Sequence, residues 1–206
     1  QPKERHGVMD TTLLILVLQA ASVLVATTLH EFVRAVTSTL LGDKKPRQDG
    51  RLTLNPVRHF EPIGFILAFL TGCGWGKPVE TSALYYKNRK QGILITAIAP
   101  SVANLVLAFV CGRLLRHGLF GSSYYLQAFF SLMVQLNVSL AAYNLMPVTP
   151  MDCLKVLNAV LPANTYFSYL QYEKIVQMIF LLLLFFGYTS IVFGPIIRLL
   201  MALCLW

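Results

Sequence analysis

The residues best suited to chemistry lie together in His30-Glu31-Phe32-Val33-Arg34, which follows an apolar stretch. A His-Glu-x-x-His pattern sets two imidazoles four residues apart on one helix face, where both can reach a zinc ion. The glutamate beside them handles protons. Here the first His and the Glu are present, and Arg34 occupies the second His position. A guanidinium stays charged and has no lone pair for a metal. A second polar group, Asp152, begins a short helix after the broken segment Asn144-Leu-Met-Pro-Val-Thr-Pro-Met-Asp152, and Lys155 follows one turn later. Ionisable groups within apolar spans are costly, about 3 kcal/mol or more each, so these few are expected to meet. Two arrangements satisfy them. In one, Arg34 bridges Glu31 and Asp152 with His30 as a hydrogen-bonded neighbour. In the other, His30 and Asp152 ligate a metal and Glu31 is the general base.

The elements that position these groups are expected to be membrane helices. The 206 residues are 56% hydrophobic and only 13% charged, where a soluble domain carries about 25% charged residues. Uncharged stretches at 11–29, 92–112, 118–150 and 175–197 approach or exceed the length of a span. The expected architecture is an α-helical polytopic membrane protein, one domain over 1–206. Its spans fall at about 11–41, 91–116, 123–147 and 173–204, with short pieces at about 63–70 and 152–161. Gln1–Asp10 reads as a polar lead-in without a signal-peptide pattern. Breaks are expected at Pro100 and at Gly194-Pro195. Arg51-Leu52-Thr53-Leu54 alternates like a strand, and the glycine-rich stretch ending at Pro78-Val79-Glu80 suits an edge strand. A small β-hairpin or edge-strand element is therefore expected between the first helices.

The formal charge of +8 does not mark a nucleic-acid binder. Nine of the seventeen Lys and Arg residues lie between Gly42 and Lys90, in a segment joining spans. Such a bias marks the cytoplasmic side, with anionic lipid as the electrostatic partner. Cys73, Cys111, Cys153 and Cys204 lack paired metal spacing and read as buried thiols.

The ordered motifs resemble the site-2 proteases, intramembrane zinc metalloproteases, and more closely their compact bacterial branch. The resemblance runs over about 11–161. It rests on His30-Glu31, Gly42-Asp43, Gly50 to Pro56, His59 to Gly64, Gly74 to Val79, Ala99 to Asn104, and Asn144 to Asp152. It implies zinc as cofactor, with His30 and Asp152 as ligands and Glu31 activating a zinc-bound water. It implies that Asn104 and Asn144 lie near the site. It also implies that Gly74, Trp75, Gly76, Lys77 and Pro78 line the path of an extended substrate. The implied setting is the bacterial cytoplasmic membrane, with residues 42–90 facing the cytoplasm and membrane-protein substrates or partner helices as ligands. Three positions depart from the family pattern. Arg34 replaces a ligand His, Cys153 replaces the glycine after the ligand Asp, and Ala99 replaces the glycine of a Gly-Pro turn. With Arg34 in place the expectation is a catalytically inactive relative that binds no zinc and holds transmembrane or extended partner segments. The alternative is an active protease with an altered ligand set, Cys153 or His59 supplying the missing ligand.

Overall fold

A computed structural model describes the backbone of residues 2–206 and side chains from Thr11 onward. The chain forms α1 (Pro2–Leu40), α2 (Lys45–Gln48), α3 (Pro56–His59), α4 (Pro62–Thr71), α5 (Arg89–Arg116), α6 (Tyr124–Tyr143), α7 (Cys153–Val160), α8 (Ala163–Phe185) and α9 (Thr189–Leu205). A 3₁₀ turn at Ala83–Tyr85 precedes α5. Four helices are long and apolar enough to cross a membrane: Thr11–Leu40, Arg89–Arg116, Tyr124–Tyr143 and Ala163–Phe185. Of the expected lead-in, Gln1 lies outside the described residues, and the helix backbone already runs from Pro2.

The central helices turn their chemistry inside out relative to a soluble bundle. In α5 the buried positions are small or polar: Gly92, Thr96, Ala97, Pro100, Asn104, Ala108, Cys111 and Gly112. Ile95, Ile98, Val102, Val106 and Phe109 form an exposed stripe at helical spacing. That distribution suits lipid, which is as apolar as any core. Helix association then relies on close packing of small residues and on polar contacts. Gly112 illustrates the approach, since a Cβ there would run into the carbonyl oxygen of Cys204 in α9.

Several boundaries differ from the sequence expectation. Pro100 does not interrupt α5, which is continuous from Arg89 to Arg116. Proline removes one N–H, and a helix packed against α1 and α6 on both sides retains its course. The expected last span is two helices, α8 starting at Ala163 and α9 at Thr189. The break falls at Gly187, whose φ of 77° makes the left-handed turn, and Pro195 remains inside α9. The span expected to reach residue 147 ends at Tyr143, where Asn144 begins the turn that leads to Asp152.

No β-strand occurs among the described residues, and the expected hairpin is not confirmed there. Residues 73–82 are extended, but their polar groups are claimed one at a time. Lys77 N donates to His59 O at 2.7 Å, Val79 N to the Glu31 carboxylate at 2.8 Å and Ser82 N to Asp43 at 2.7 Å. Arg51, which the alternation put in a strand, is buried. Its guanidinium donates to the carbonyls of Arg58, at 2.7 Å, and Lys77. Two carboxylate acceptors, one loop carbonyl and the Arg51 guanidinium thus take the place of the ladder that a partner strand would supply. The strip also lies backbone to backbone on α4. A Cβ on Gly64 would meet Trp75 O, and one on Gly74 would meet Gly64 O.

Candidate functional site

The site forms where α1, α5, α6 and the start of α7 converge. One turn of α1 supplies His30, Glu31 and Arg34, all buried. The i, i+3 and i, i+4 spacing puts them on the inward face. Asp152 enters from the chain break before α7, also buried. Asn144 holds that break: its Oδ1 accepts from Asp152 N at 3.1 Å, its carbonyl from Cys153 N at 3.0 Å, and its Nδ2 donates to Leu140 O at 2.8 Å. From the other side, α8 grips the loop. Tyr169 donates to Pro147 O, Gln177 to Thr149 O at 2.7 Å, and Glu173 accepts from Thr149 N at 2.8 Å.

Two carbonyls that can only accept determine the direction of the whole polar chain. Asn137 Nδ2 donates to Met133 O at 2.8 Å, so its Oδ1 is left to accept from Asn104 Nδ2 at 2.6 Å. Asn104 Nδ2 also donates to Ala26 O at 3.1 Å. Asn104 Oδ1 therefore faces His30 Nδ1, 2.8 Å away, and receives its proton. The lone pair of His30 is at Nε2, and Arg34 Nη2 donates to it at 2.9 Å. Asp152 Oδ2 lies 3.0 Å from the same nitrogen. Between two groups that each present a lone pair, the guanidinium supplies the attraction.

Arg34 is the hub. Its Nη2 lies 2.7 Å from Asp152 Oδ1 and its Nε 3.3 Å from Glu31 Oε2. Lys155 Nζ approaches Asp152 Oδ1 at 3.3 Å. Glu31 Oε2 is also the acceptor for Val79 N, so the carboxylate is engaged from two sides. Gly76 packs on it closely, with a Cβ there 3.2 Å from Glu31 Cγ.

A zinc ion does not fit this donor set. Catalytic zinc takes three protein ligands and keeps a water. His30 Nε2 and Asp152 are two, and Arg34 Nη2 is within hydrogen-bond distance of both. A second cation there would meet the guanidinium in a low-dielectric site. Among the described residues no three His, Cys, Asp or Glu side chains gather as a metal group. Cys153, the expected substitute, is adjacent to Asp152 in sequence but is not part of such a group. Burial, then the Asp152 charge, raises its thiol pKa and disfavours the thiolate. His59 lies apart from the cluster, its Nε2 donating to Thr53 O at 2.8 Å.

The strip of Gly74, Trp75, Gly76, Lys77 and Pro78 runs past Glu31. Beyond it, Pro78 to Ser82 face Thr149, Pro150 and Lys155 across an open groove. Three residues of the site's framework escape the sequence reading. Asn137 carried a usable signal, as an amide in an apolar helix. Arg51 and Asp43 carried a signal only as members of the motifs Gly50 to Pro56 and Gly42-Asp43, which gave neither of them a role. Asp43 is in fact buried, accepting from Ser38 Oγ at 2.8 Å, Lys45 N at 2.9 Å and Ser82 N.

Known proteins resemble the chain over most of its length. It is 32% identical over 184 residues to "Putative zinc metalloprotease YwhC" of Bacillus subtilis (strain 168), covering 86% of this chain and 84% of that protein. It is 28% identical over 149 residues to "Putative zinc metalloprotease Rip2" of Mycolicibacterium smegmatis (strain ATCC 700084 / mc(2)155). That match covers 67% of this chain and 55% of the relative. No family model matches the chain, and no solved structure matches it.

Proposed function

The chain belongs to the site-2 protease family, and from that premise we propose that it is a pseudoprotease, a membrane protein that retains the family's site without its metal. In this reading the protein does not cleave. It binds transmembrane or extended segments of membrane-protein partners along the Gly74–Pro78 strip and the groove beside it. The observation that carries the reading is the position of Arg34 Nη2, 2.9 Å from His30 Nε2 and 2.7 Å from Asp152 Oδ1. A fixed cation there performs the electrostatic part of a metal's work. It neutralises the Asp152 and Glu31 carboxylates and keeps α1 docked on the 144–152 break. It performs none of the chemical part, because a guanidinium neither holds an exchangeable water nor lowers its pKa. Glu31, held by Val79 N and Arg34, is tied down rather than available to a water. The proposed setting is a bacterial cytoplasmic membrane, with the basic 42–90 segment on the cytoplasmic face.

The test is zinc content per chain in detergent, for the protein as it stands and for Arg34→His. The expected result is no zinc in the first and about one zinc in the second, with cleavage of a membrane-anchored reporter appearing only in the second. About one zinc per unmodified chain overturns the reading.

A further inference from the structure

Arg34 has a second end. Its Nη2 bonds Asp152 and its Nε lies 3.3 Å from Glu31 as an ion pair without a hydrogen bond, while Nη1 is buried with neither a hydrogen bond nor an ion-pair contact. Leaving a charged donor in that state costs the full desolvation of its N–H groups, so something is expected to accept from it. The space available is a pocket of about 220 Å³ lined by Arg34, Thr81, Tyr86, Thr96, Lys155 and Asn158. That is the liquid volume of about seven waters, more than one solvent molecule needs and enough for a carboxylate with a short aliphatic stub. Two of the lining side chains are cations. Lys155 Nζ, about one third exposed, stands at the rim. Tyr86 and Thr96 already have partners, Ser38 Oγ at 2.8 Å and Gly92 O respectively, so the charged donors lining the space are Arg34 and Lys155, with the Thr81 hydroxyl and the Asn158 amide as neutral donors beside them. The pocket also shares Thr81 and Lys155 with the groove between Pro78–Ser82 and Thr149-Pro150, so the two are continuous.

We propose that this pocket is a carboxylate site, in which Arg34 Nη1 and Lys155 Nζ receive the carboxylate of a polypeptide segment lying in the adjoining groove. The carboxylate is a free chain terminus or an acidic side chain. A guanidinium edge plus an ammonium matches two carboxylate oxygens with charge-assisted bonds. A neutral acceptor uses only the first. Asp152 does not compete, because its Oδ1 is engaged by Arg34 Nη2 and Lys155 Nζ and no hydrogen bond joins it to Nη1. The inference rests on the zinc-free reading above, since Arg34 must keep its place.

The experiment uses the 206-residue protein in detergent, its zinc content assayed, so that the two readings fail separately. Sodium butyrate, butyramide and sodium chloride at matched ionic strength are titrated against thermal stability. Butyrate is expected to give a saturable upward shift, and the other two none. Lys155→Gln weakens butyrate at least about tenfold, the value of one charge-assisted hydrogen bond. Asn158→Ala, at the exposed rim, is a milder variant expected to weaken it severalfold. Short apolar peptides then distinguish the sources: one with a free C-terminus, its C-terminal amide, and that amide carrying an internal Glu. Binding by the first alone assigns a chain terminus, and binding by the third an acidic side chain. Equal shifts from butyrate and butyramide in zinc-free protein, or butyrate affinity unchanged in both variants, overturn the proposal. Zinc in the unmodified protein overturns the reading beneath it instead.

Discussion

Replacing Arg34 by Met keeps most of the side chain's volume and removes its charge. Two carboxylates, Asp152 and Glu31, are then left buried without the cation that lies 2.7 Å and 3.3 Å from them. Breaking a buried pair by removing one partner costs about 3–5 kcal/mol, because the remaining charge is uncompensated. Protonation limits the loss. Taking up a proton at pH 7 from an ordinary Asp pKa of about 3.9 costs about 4 kcal/mol, which falls in the same range. For a chain of this length that corresponds to a drop in Tm of roughly 6–20 °C. The assay is thermal unfolding in detergent, followed by tryptophan fluorescence, at pH 7 and pH 5. The loss is expected to shrink by about 2.7 kcal/mol at pH 5, where protonating the carboxylate is easier by two pH units. Adding Asp152→Asn and Glu31→Gln to Arg34→Met should restore most of the stability, since both carboxylates that lost the guanidinium are gone and only the partly exposed Lys155 loses its contact with Asp152. A single Arg34→Met variant within 1 kcal/mol of the parent refutes the reasoning. So does a triple variant less stable than the single one, because either result means that the ion pairs do not hold the two segments together.

Two further outcomes test the packing and the loop. Gly112→Ala, whose Cβ would strike the Cys204 carbonyl, should lose about 1–3 kcal/mol in thermal unfolding. Gly194→Ala, where the nearest atom is the end of Arg198 at 3.6 Å, should be neutral or gain up to about 1 kcal/mol from helix propensity; equal effects would contradict the close α5–α9 approach. Burial lowers the pKa of His59, whose Nδ1 is buried without a partner. A group with a depressed folded pKa contributes stability in full above its unfolded value, about 6.5, and loses it as pH falls through the folded value. Unfolding scans from pH 7.5 to 5 should therefore show a steeper loss for the parent than for His59→Gln, and parallel curves would refute the assignment.

Much of the site was legible because membrane burial makes polar residues conspicuous. His30, Glu31 and Arg34 fall on one helical turn by spacing alone, and Asp152 is the acid at a proline-broken helix start. Asn137 was equally visible in principle, as an amide within α6. Loops gave the opposite result. Arg51 reads as part of a strand and Asp43 as one residue of a loop motif, yet both are buried and hydrogen-bond the extended strip at Lys77 O and Ser82 N. The alternation at 51–54 was a misleading signal, since the buried residue there is Arg51 while Leu54 is exposed.

Composition and spacing determined that this chain is a bundle of membrane helices, which turn carries the polar groups, and that one of them cannot ligate a metal. Side-chain type is sufficient for those conclusions, since hydrophobicity, helical period and lone-pair inventory are properties of residues. Only the tertiary structure decided the pairings. That Arg34 Nη2 lies between His30 and Asp152, that Asn104 determines the His30 tautomer, and that Arg34 and Lys155 line one pocket depend on how α1, α5 and α7 cross. A crossing is set by small residues such as Gly112 and by loop bonds such as those of Asn144. These act between segments far apart in the chain, where no local period records them.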